Sequence, residues 1–263
     1  MERIAIISDV HGNITALNTV LEDIKSRNIS RIFCLGDSVT KCANPDKVID
    51  TLRDVCEVMI LGNCDAVIAQ ESINARTFWS RKKIGEERAE FLRNLPVSHD
   101  FYMSGRLIRL FHASPQSLSH IYNPMYFNDG ARGVPEHCDP MELFENTSFI
   151  GKDSNSPTPD VVGYGHIHTP NVLRIKNKLI FNPGSVGIPV EMKNSNCFEE
   201  SCKFSTVASY AILEGDYNSK NLSAFSVSIV RVPYNIEEEI KSLEESNIPN
   251  KKNIIATLRT ACP

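Results

Sequence analysis

Three short apolar runs near the start of the chain each stop at a residue with a carboxylate or amide side chain. They are residues 3–8, 31–35 and 58–61, which stop before or close to Asp9, Asp37 and Asn63. Runs of this length without a helical period are typical of buried strands. The segment between the first two has apolar residues at helical spacing, such as Leu17 and Ile24. Strands that alternate with helices predict a parallel sheet with covering helices, which restricts the chain to α/β folds.

Strand-like runs are more frequent in the second half of the chain. Short apolar segments cover residues 107–111, 161–164, 172–175, 179–181, 210–213 and 225–232. Lys176-Asn177-Lys178 separates two of them and predicts a hairpin. We expect two adjacent sheets flanked by helices in a single domain, residues 1–263. Residues 115–159 and 190–206 are rich in Pro, Asn and Ser, which predicts irregular surface loops near or over the site.

The overall composition excludes several classes of protein. Hydrophobic residues make up 41% of the 263 residues and charged residues 23%, which is typical of a globular protein. The formal charge of −4 disfavours a broad nucleic-acid-binding surface but allows a local cationic pocket for a small phosphate compound. No stretch approaches the roughly 18 apolar residues of a membrane-spanning helix, and the N-terminus lacks a signal-peptide cleavage site. We therefore expect a cytoplasmic protein without a membrane partner, and a homo-oligomer is left open.

The polar residues at the strand ends, together with four histidines, form an ordered set of metal-ligand types. The set is Asp9, His11, Asp37, Asn63, His112, His166 and His168. Carboxylate, amide and imidazole groups bind hard and borderline divalent metals. Ligands of open α/β sheets bind beyond the carboxyl ends of the strands, so we expect these side chains to converge on one rim. A pair of divalent ions about 3.5–4 Å apart needs a bridging carboxylate with ligands on both sides, and this set can supply them.

The order of these residues resembles the pattern of the calcineurin-like metallophosphoesterase family, which is D-x-H, G-D, G-N-H/C-D, H and G-H-x-H. The match runs from Asp9 to His168, and residues 182–187 resemble a further segment of the small bacterial and archaeal phosphodiesterase branch. The resemblance implies a four-layer α/β/β/α sandwich of two mixed sheets flanked by helices. It also implies one metal held by Asp9, His11, Asp37 and His168, and another held by Asn63, His112 and His166, with Asp37 as the bridge.

The resemblance implies two divalent metal ions as cofactors and a small phosphoester as the substrate. Mn²⁺ is favoured, and Fe, Co²⁺, Ni²⁺ and Zn²⁺ are alternatives that the same ligand types accept. A hydroxide that bridges the two ions would attack phosphorus. The residues predicted to take part in catalysis are Asp37, Asn63, Cys64 and Asp65, and those predicted to contact substrate are Asn13, Asn63 and His112.

Cys64 occupies a position where much of the family has an imidazole that helps the leaving group. One interpretation is that Cys64 is a small residue that fills the space, and the other is that its thiol donates a proton. A thiol with a reference pKa of about 8.5 is a poorer partner for phosphate oxygens than imidazolium. The small phosphodiesterase branch shares this cysteine. We therefore expect diesters or anhydrides with good leaving groups to be preferred over alkyl monoesters.

These observations predict a divalent-metal-dependent phosphoesterase, first of all a phosphodiesterase acting on small nucleotide-like substrates. A phosphomonoesterase or protein phosphatase, and a dinucleoside polyphosphate hydrolase, are alternatives within the same class. A non-catalytic scaffold with the metallophosphoesterase fold is the alternative from another class. Retention of the complete ligand set argues against the scaffold, because a scaffold has no need of it.

Overall fold

Two five-stranded sheets lie face to face in the computed structural model, which describes residues 1–70, 75–120, 122, 139–192 and 202–260. The strands in these residues are β1 (Glu2–Ile7), β2 (Arg31–Cys34), β3 (Val58–Met59), β4 (Ser98–Met103), β5 (Arg106–Phe111), β6 (Val161–Tyr164), β7 (Asn171–Ile175), β8 (Lys178–Asn182), β9 (Val190–Met192), β10 (Cys202–Phe204), β11 (Val207–Gly215) and β12 (Ser226–Pro233). The α-helices are α1 (Ile14–Ser26), α2 (Pro45–Val55), α3 (Asn63–Ala69), α4 (Ala75–Arg93), α5 (Ile236–Glu245) and α6 (Lys251–Thr260). Each strand predicted from the sequence overlaps an observed strand.

The first sheet has the order β12–β11–β1–β2–β3. Strands β1, β2 and β3 are parallel, whereas β11 and β12 extend the sheet by antiparallel pairing. Along β1, Ile4 and Ile6 face the second sheet, and Ala5 and Ile7 face helices α1 and α2. Burial on both faces explains why β1 has a continuous apolar sequence. The predicted parallel arrangement of the first three strands is confirmed.

The second sheet has the order β4–β5–β6–β8–β7, and its three central strands are parallel. Strands β4 and β7 pair antiparallel at the two edges. The β7–β8 hairpin turns at Lys176 and Asn177, whose φ angles of 48° and 65° suit a tight two-residue turn. The predicted hairpin is therefore confirmed.

Helical segments cover the outer faces of both sheets. Leu17 of α1 and Leu52 of α2 belong to the core on the outer face of the first sheet. On the outer face of the second sheet, Ile180 packs in a cluster with Phe144 of a 3-10 helix, Pro140–Phe144. Two mixed sheets between helical covers form the expected α/β/β/α sandwich. In the described residues the cover of the second sheet consists of 3-10 turns.

The two segments predicted to be irregular contain some regular structure. Residues 115–159 include the 3-10 helices Pro140–Phe144 and Ser148–Ile150. Within residues 190–206, β9 and β10 form a two-stranded antiparallel sheet, which corrects the expectation of an irregular segment there. The pairing joins backbone groups that are distant in sequence, so the local composition did not indicate it. Residues 121, 123–138 and 193–201 lie outside the described part of the chain.

Helix α2 begins at Pro45, and proline suits the first position of a helix. Asn44 is the residue before the helix, but its side chain makes no capping hydrogen bond there. Its amide donates instead to Ser242 Oγ of α5, at 2.7 Å. Among the described helices, none is long and apolar enough to cross a membrane.

Candidate metal centre

The predicted ligand residues lie together at the carboxyl ends of five strands. Asp9 and His11 follow β1, Asp37 follows β2, Asn63 follows β3, His112 follows β5, and His166 and His168 follow β6. Contacts of 4 Å or less link all of them into one cluster. The structure therefore brings together the seven residues that the sequence order singled out.

The first half of the cluster consists of Asp9, His11 and His168. Asp9 Oδ1 lies 3.2 Å from His168 Nε2 and 3.8 Å from His11 Nε2. The Nδ1 atoms of the two imidazoles contact backbone carbonyls, Val39 O at 3.1 Å for His11 and Ile188 O at 2.6 Å for His168. A carbonyl only accepts hydrogen bonds, so each neutral ring has its proton on Nδ1 and a lone pair on Nε2. The two Nε2 atoms face each other at 3.0 Å, an arrangement that a shared cation stabilises.

The second half of the cluster consists of Asn63, His112 and His166. His112 Nδ1 donates to Leu35 O at 2.8 Å, which orients its Nε2 toward Asn63 Oδ1 at 2.9 Å. His166 Nδ1 lies 2.9 Å from the same Asn63 oxygen. Asn63 and His166 are half-buried, whereas His112 is fully buried. This half is therefore partly open to solvent, while the Leu35 carbonyl holds the buried imidazole of His112 in place.

Asp37 lies between the two halves. Its Oδ2 is 3.7 Å from His11 Nε2, and its Oδ1 is 3.5 Å from His112 Nε2. The carboxylate also accepts a hydrogen bond from the backbone N–H of Cys64 at 2.8 Å. Each half of the cluster thus faces a different oxygen of one aspartate.

The electrostatics of the buried core favour a bound cation. Burial opposes ionisation of Asp9, but the neighbouring imidazoles, first of all that of His168, hold the pKa of Asp9 well below its usual range. Asp9 Oδ1 has no hydrogen-bond partner among the described residues. Burial and the charge of Lys41 lower the pKa of His11 well below its ordinary value. Buried charges need a partner, and an ionised carboxylate beside neutral imidazoles is the form in which these groups bind metals.

His112 and His166 differ in their response to the same surroundings. Burial alone would lower the pKa of His112, but the negative charge of Asp37 raises it above its usual value. Burial and the nearby His112 lower the pKa of His166 to about 4. Positive charge is therefore favoured at His112, deep in the cluster, and disfavoured at the more open His166. The donor types, the unpaired carboxylate oxygen and the facing lone pairs fit a divalent metal site.

The backbone at the strand ends explains how so many ligands meet. Five ligand residues have left-handed φ angles between 52° and 67°, namely Asp9, His11, Asp37, His166 and His168. Such angles are uncommon outside glycine and destabilise a chain by about 1–3 kcal/mol each. Hydrogen bonds between the loops hold them, for example from His11 N to Asp37 O at 2.9 Å.

Two motif glycines are required by close approach. A Cβ atom on Gly62 would lie 2.2 Å from Asp37 Oδ1, and one on Gly165 would lie 2.2 Å from Ser8 Oγ and 2.8 Å from Asp9 Oδ2. These contacts are far shorter than van der Waals separations. The glycines in the Gly-Asn and Gly-His motifs therefore leave room for the carboxylates of Asp37 and Asp9.

Cys64 and Asp65 lie beside Asp37 in different roles. The Cys64 thiol is close to His11 and Asp37, and burial together with the charge of Asp37 raises the pKa of the thiol well above its ordinary value. The thiol is thus neutral at physiological pH. Asp65 is fully buried and accepts hydrogen bonds from the backbone N–H groups of Ser38 at 2.9 Å and Gly62 at 3.3 Å. Burial and the charge of Asp37 raise the pKa of Asp65. Asp65 ties the loop after β2 to the loop after β3.

Asn13 was predicted to contact substrate, and the structure places it in the interior at the start of α1. Its side chain is fully buried and forms the N-cap of α1, where Oδ1 accepts a hydrogen bond from Ala16 N at 3.0 Å. Its Nδ2 donates to Gly187 O at 3.0 Å and to Tyr234 Oη at 3.2 Å. Both ends of the Asn13 amide are therefore hydrogen-bonded within the protein. The predicted contact of Asn13 with substrate stays a prediction.

Residues 182–187, the further segment of the resemblance, support Asp9 from behind. Ser185 Oγ donates to Asp9 O at 2.7 Å, and Gly187 N donates to the same oxygen at 3.0 Å. Asn182 Nδ2 donates to Gly165 O at 2.7 Å. The segment therefore connects the loops that hold Asp9 and His166.

Sequence reasoning missed two residues at the cluster, Ser8 and Lys41. Ser8 Oγ donates to Asp9 Oδ2 at 2.6 Å, and Lys41 Nζ donates to His11 Nε2 at 3.1 Å. A serine before a motif aspartate gives no distinctive signal. For Lys41 a signal existed, because it is the one basic residue between the Gly36-Asp37 motif and the start of α2.

Comparison with known sequences identifies the family. The calcineurin-like phosphoesterase superfamily domain matches residues 2–203. The chain belongs to this superfamily. An uncharacterised protein of Methanocaldococcus jannaschii is 30% identical over 255 residues, which cover 94% of this chain and 93% of that protein.

Solved structures share the fold across the whole chain. A metallophosphoesterase from Sphaerobacter thermophilus aligns with a TM-score of 0.69 and 24% identity, and covers 98% of this chain and 99% of its own. A hypothetical protein from Pyrococcus horikoshii aligns with a TM-score of 0.67 and 18% identity, and covers 98% of each chain. The α/β fold and the family expected from the motifs are thus confirmed. Family membership and the Asp/His cluster together support a metal-dependent phosphoester hydrolase.

Proposed function

We propose that this protein is a divalent-metal-dependent phosphodiesterase that hydrolyses small nucleotide-like substrates. The observation that carries the proposal is the position of Asp37, which presents one carboxylate oxygen to His11 and the other to His112. A carboxylate between two groups of ligands is what a pair of divalent ions requires. This position supports a dinuclear centre, and Mn²⁺ is the first metal to test.

The protein's own groups have defined roles in this reaction. Two divalent ions at such a site supply an acidic water and neutralise charge on the phosphoryl group. The carbonyls of Leu35, Val39 and Ile188 fix the imidazoles from behind, so the ligands need little reorganisation when substrate binds. Asn63 Nδ2 has a weak contact of 3.7 Å to Cys64 Sγ, which leaves this N–H available for a phosphoryl oxygen.

The preference for diesters rests on Cys64. Its thiol is neutral and is a weak hydrogen-bond donor, so it gives little help to a departing alkoxide. Substrates whose leaving groups depart without strong assistance, such as aryl or nucleotidyl diesters and anhydrides, suit this site better than alkyl monoesters.

A metal-by-substrate activity matrix tests the proposal. Purified protein would be freed of metal by chelation and reloaded with Mn²⁺, Co²⁺, Ni²⁺, Zn²⁺ or Fe²⁺. Each form would be assayed with bis-p-nitrophenyl phosphate, p-nitrophenyl phosphate, cyclic nucleotides and dinucleoside polyphosphates. We expect the highest kcat/KM for a diester with Mn²⁺. Higher values for the monoester would favour a phosphomonoesterase, and metal binding without hydrolysis of any substrate would favour a scaffold.

The variant Asp37→Asn tests the bridging role. Loss of one negative charge shared by both halves should lower metal affinity and reduce diester hydrolysis by more than about 100-fold, since even outer-shell changes at metal sites cause losses of about 10–100-fold. Asp54→Asn, at an exposed position in α2, is the matched control and should retain full activity. An Asp37→Asn protein with wild-type metal stoichiometry and rate would contradict the proposed centre.

A further inference from the structure

Lys41 brings a positive charge to the edge of the metal centre. It lies in the loop between β2 and α2, is half-buried, and donates a hydrogen bond from Nζ to His11 Nε2 at 3.1 Å. Among the described residues, its ammonium group has no carboxylate partner. A partly buried cation without an ion pair favours an anionic ligand.

The loop that carries Lys41 is held in an unusual conformation. Thr40 and Lys41 have φ angles of 73° and 61°, and a left-handed conformation is particularly unfavourable for a β-branched residue such as threonine. Hydrogen bonds from Cys42 N to His11 O at 2.8 Å and from Gly12 N to Ser38 O at 2.9 Å fix this loop to the Asp9–Gly12 turn. Strain of this kind persists where surrounding contacts determine the conformation, and it concentrates at functional sites.

The hydrogen bond to His11 and the binding of a metal by His11 compete. His11 Nδ1 donates to Val39 O, so Nε2 has a single lone pair, which either Lys41 or a metal ion can use. When a cation takes this lone pair, the Lys41 ammonium needs another acceptor and is repelled by the cation. An anionic oxygen between the two positive charges satisfies both requirements.

The neighbouring residue Cys64 indicates which anionic oxygen Lys41 contacts. Lys41 and Cys64 both lie beside His11, and Cys64 is at the position where much of the family has an imidazole near the leaving group. A thiol is only a weak hydrogen-bond donor. A lysine ammonium, with three N–H donors and a full charge, supplies what the thiol lacks.

We propose that Lys41 is a substrate-binding residue whose ammonium group contacts the oxygen of the leaving group. This inference rests on the proposed function, and it assigns to Lys41 the stabilisation of charge that develops as the ester bond breaks. The water adds to phosphorus and releases a proton to solvent, and the bond from phosphorus to the leaving oxygen breaks. The Lys41 N–H donors hold the negative charge on the leaving oxygen until it takes up a proton from solvent. In a complex with inorganic phosphate, one phosphate oxygen takes the place of the leaving oxygen and receives the same contact.

Binding of inorganic phosphate to the Mn²⁺-loaded protein tests the contact without turnover. Isothermal titration calorimetry would compare wild type with Lys41→Met, Lys41→Arg and Lys47→Met, the last at an exposed position in α2. A charge-assisted hydrogen bond corresponds to about a 10- to 100-fold difference in affinity. We expect Lys41→Met to weaken phosphate binding by this factor, Lys41→Arg to restore part of it, and Lys47→Met to have no effect.

Titration with Mn²⁺ alone separates this role from a structural one. Removal of a neighbouring positive charge should leave Mn²⁺ affinity unchanged or increase it, whereas a structural defect in the loop should decrease it. Lower Mn²⁺ affinity in Lys41→Met would therefore overturn the assignment, as would phosphate affinity within about twofold of wild type, which is far below the expected effect. These titrations decide the role of Lys41 even where no phosphoester is hydrolysed, so they fail or succeed separately from the proposed function.

A series of diesters with leaving groups of different pKa gives a kinetic test. If Lys41 stabilises the leaving oxygen, Lys41→Met should reduce kcat more for poor leaving groups than for p-nitrophenolate, with a smaller change in KM. An equal reduction across the series would contradict contact with the leaving oxygen.

Discussion

The two halves of the candidate metal centre consist of similar residue types in different surroundings. Asp9, His11 and His168 are 5% exposed or less, and this half includes a carboxylate of its own. The other half pairs His112 with the half-buried Asn63 and His166, and an uncharged amide takes the place of the carboxylate. For the proposed two-metal centre, this difference predicts that the buried half binds its metal more tightly. It also predicts that the half-buried side binds its metal more weakly and gives access to substrate.

Removal of one histidine from each half is the strongest test of the predicted difference in metal affinity. His168→Gln removes an imidazole whose Nε2 faces both Asp9 and His11, so we expect the affinity of the tighter metal to fall by at least about 100-fold. His166→Gln removes a ligand from the open half and should weaken the other metal by about 10-fold. Calorimetric titration with Mn²⁺ measures both.

His166 and His168 lie on the same short loop after β6, so each variant is a control for the other. Thermal unfolding of the metal-free proteins would exclude a general loss of structure. Equal losses for the same metal in both variants would contradict the division into two halves.

The variant Cys64→His tests whether a proton donor at position 64 speeds departure of the leaving group. An imidazole beside Asp37 can protonate a leaving group, and general acid catalysis contributes about 10²–10⁴-fold where the geometry is favourable. In a site not adapted to it we expect a gain of about 10-fold for poor leaving groups and little change for p-nitrophenolate. Cys64→Ser, which has a hydroxyl but no imidazole, is the matched control. Unchanged rates of Cys64→His across a leaving-group series would contradict this prediction.

The sequence predicted the clustering of the candidate ligand residues better than it predicted some of the surrounding helices and strands, for a physical reason. Asp9 and His112 directly follow short apolar runs, and Asp37 is separated from its run by Gly36, so the local pattern placed all three at strand ends. Strand β4 was not predicted because its first three residues are polar and half-buried at a sheet edge. Its buried side chains are those of Phe101 and Met103.

Helix α3 and Lys41 were missed because their positions depend on distant contacts. The seven residues of α3 are too few to give a helical period, and the helix is stabilised where Ile68 packs against α4 and α2. The approach of Lys41 to His11 depends on the left-handed backbone conformations of Thr40 and Lys41, which the sequence pattern does not predict.

Glu239 extends the comparison to a buried carboxylate without imidazole neighbours. It lies in α5, where Thr15 Oγ1 of α1 donates to its Oε2 at 2.9 Å and its Oε1 has no hydrogen-bond partner among the described residues. Whereas imidazoles hold the pKa of Asp9 low, burial raises the pKa of Glu239 to about 7. The same physical cost of burial therefore has opposite outcomes at the two acids.

The raised pKa of Glu239 predicts a dependence of stability on pH. In the folded state the Glu239 carboxyl keeps its proton up to a pH of about 7, whereas in the unfolded chain it releases the proton near pH 4.5. The raised pKa therefore contributes its full stabilisation only below about pH 4.5. This stabilisation is lost as the pH rises from about 4.5 to about 7, by up to about 3 kcal/mol. Glu239→Gln cannot ionise, so its Tm relative to wild type should be higher at pH 8 than at pH 5. Glu244→Gln, at an exposed position in α5, is the control, and an equal Tm difference at both pH values in Glu239→Gln would contradict the assignment.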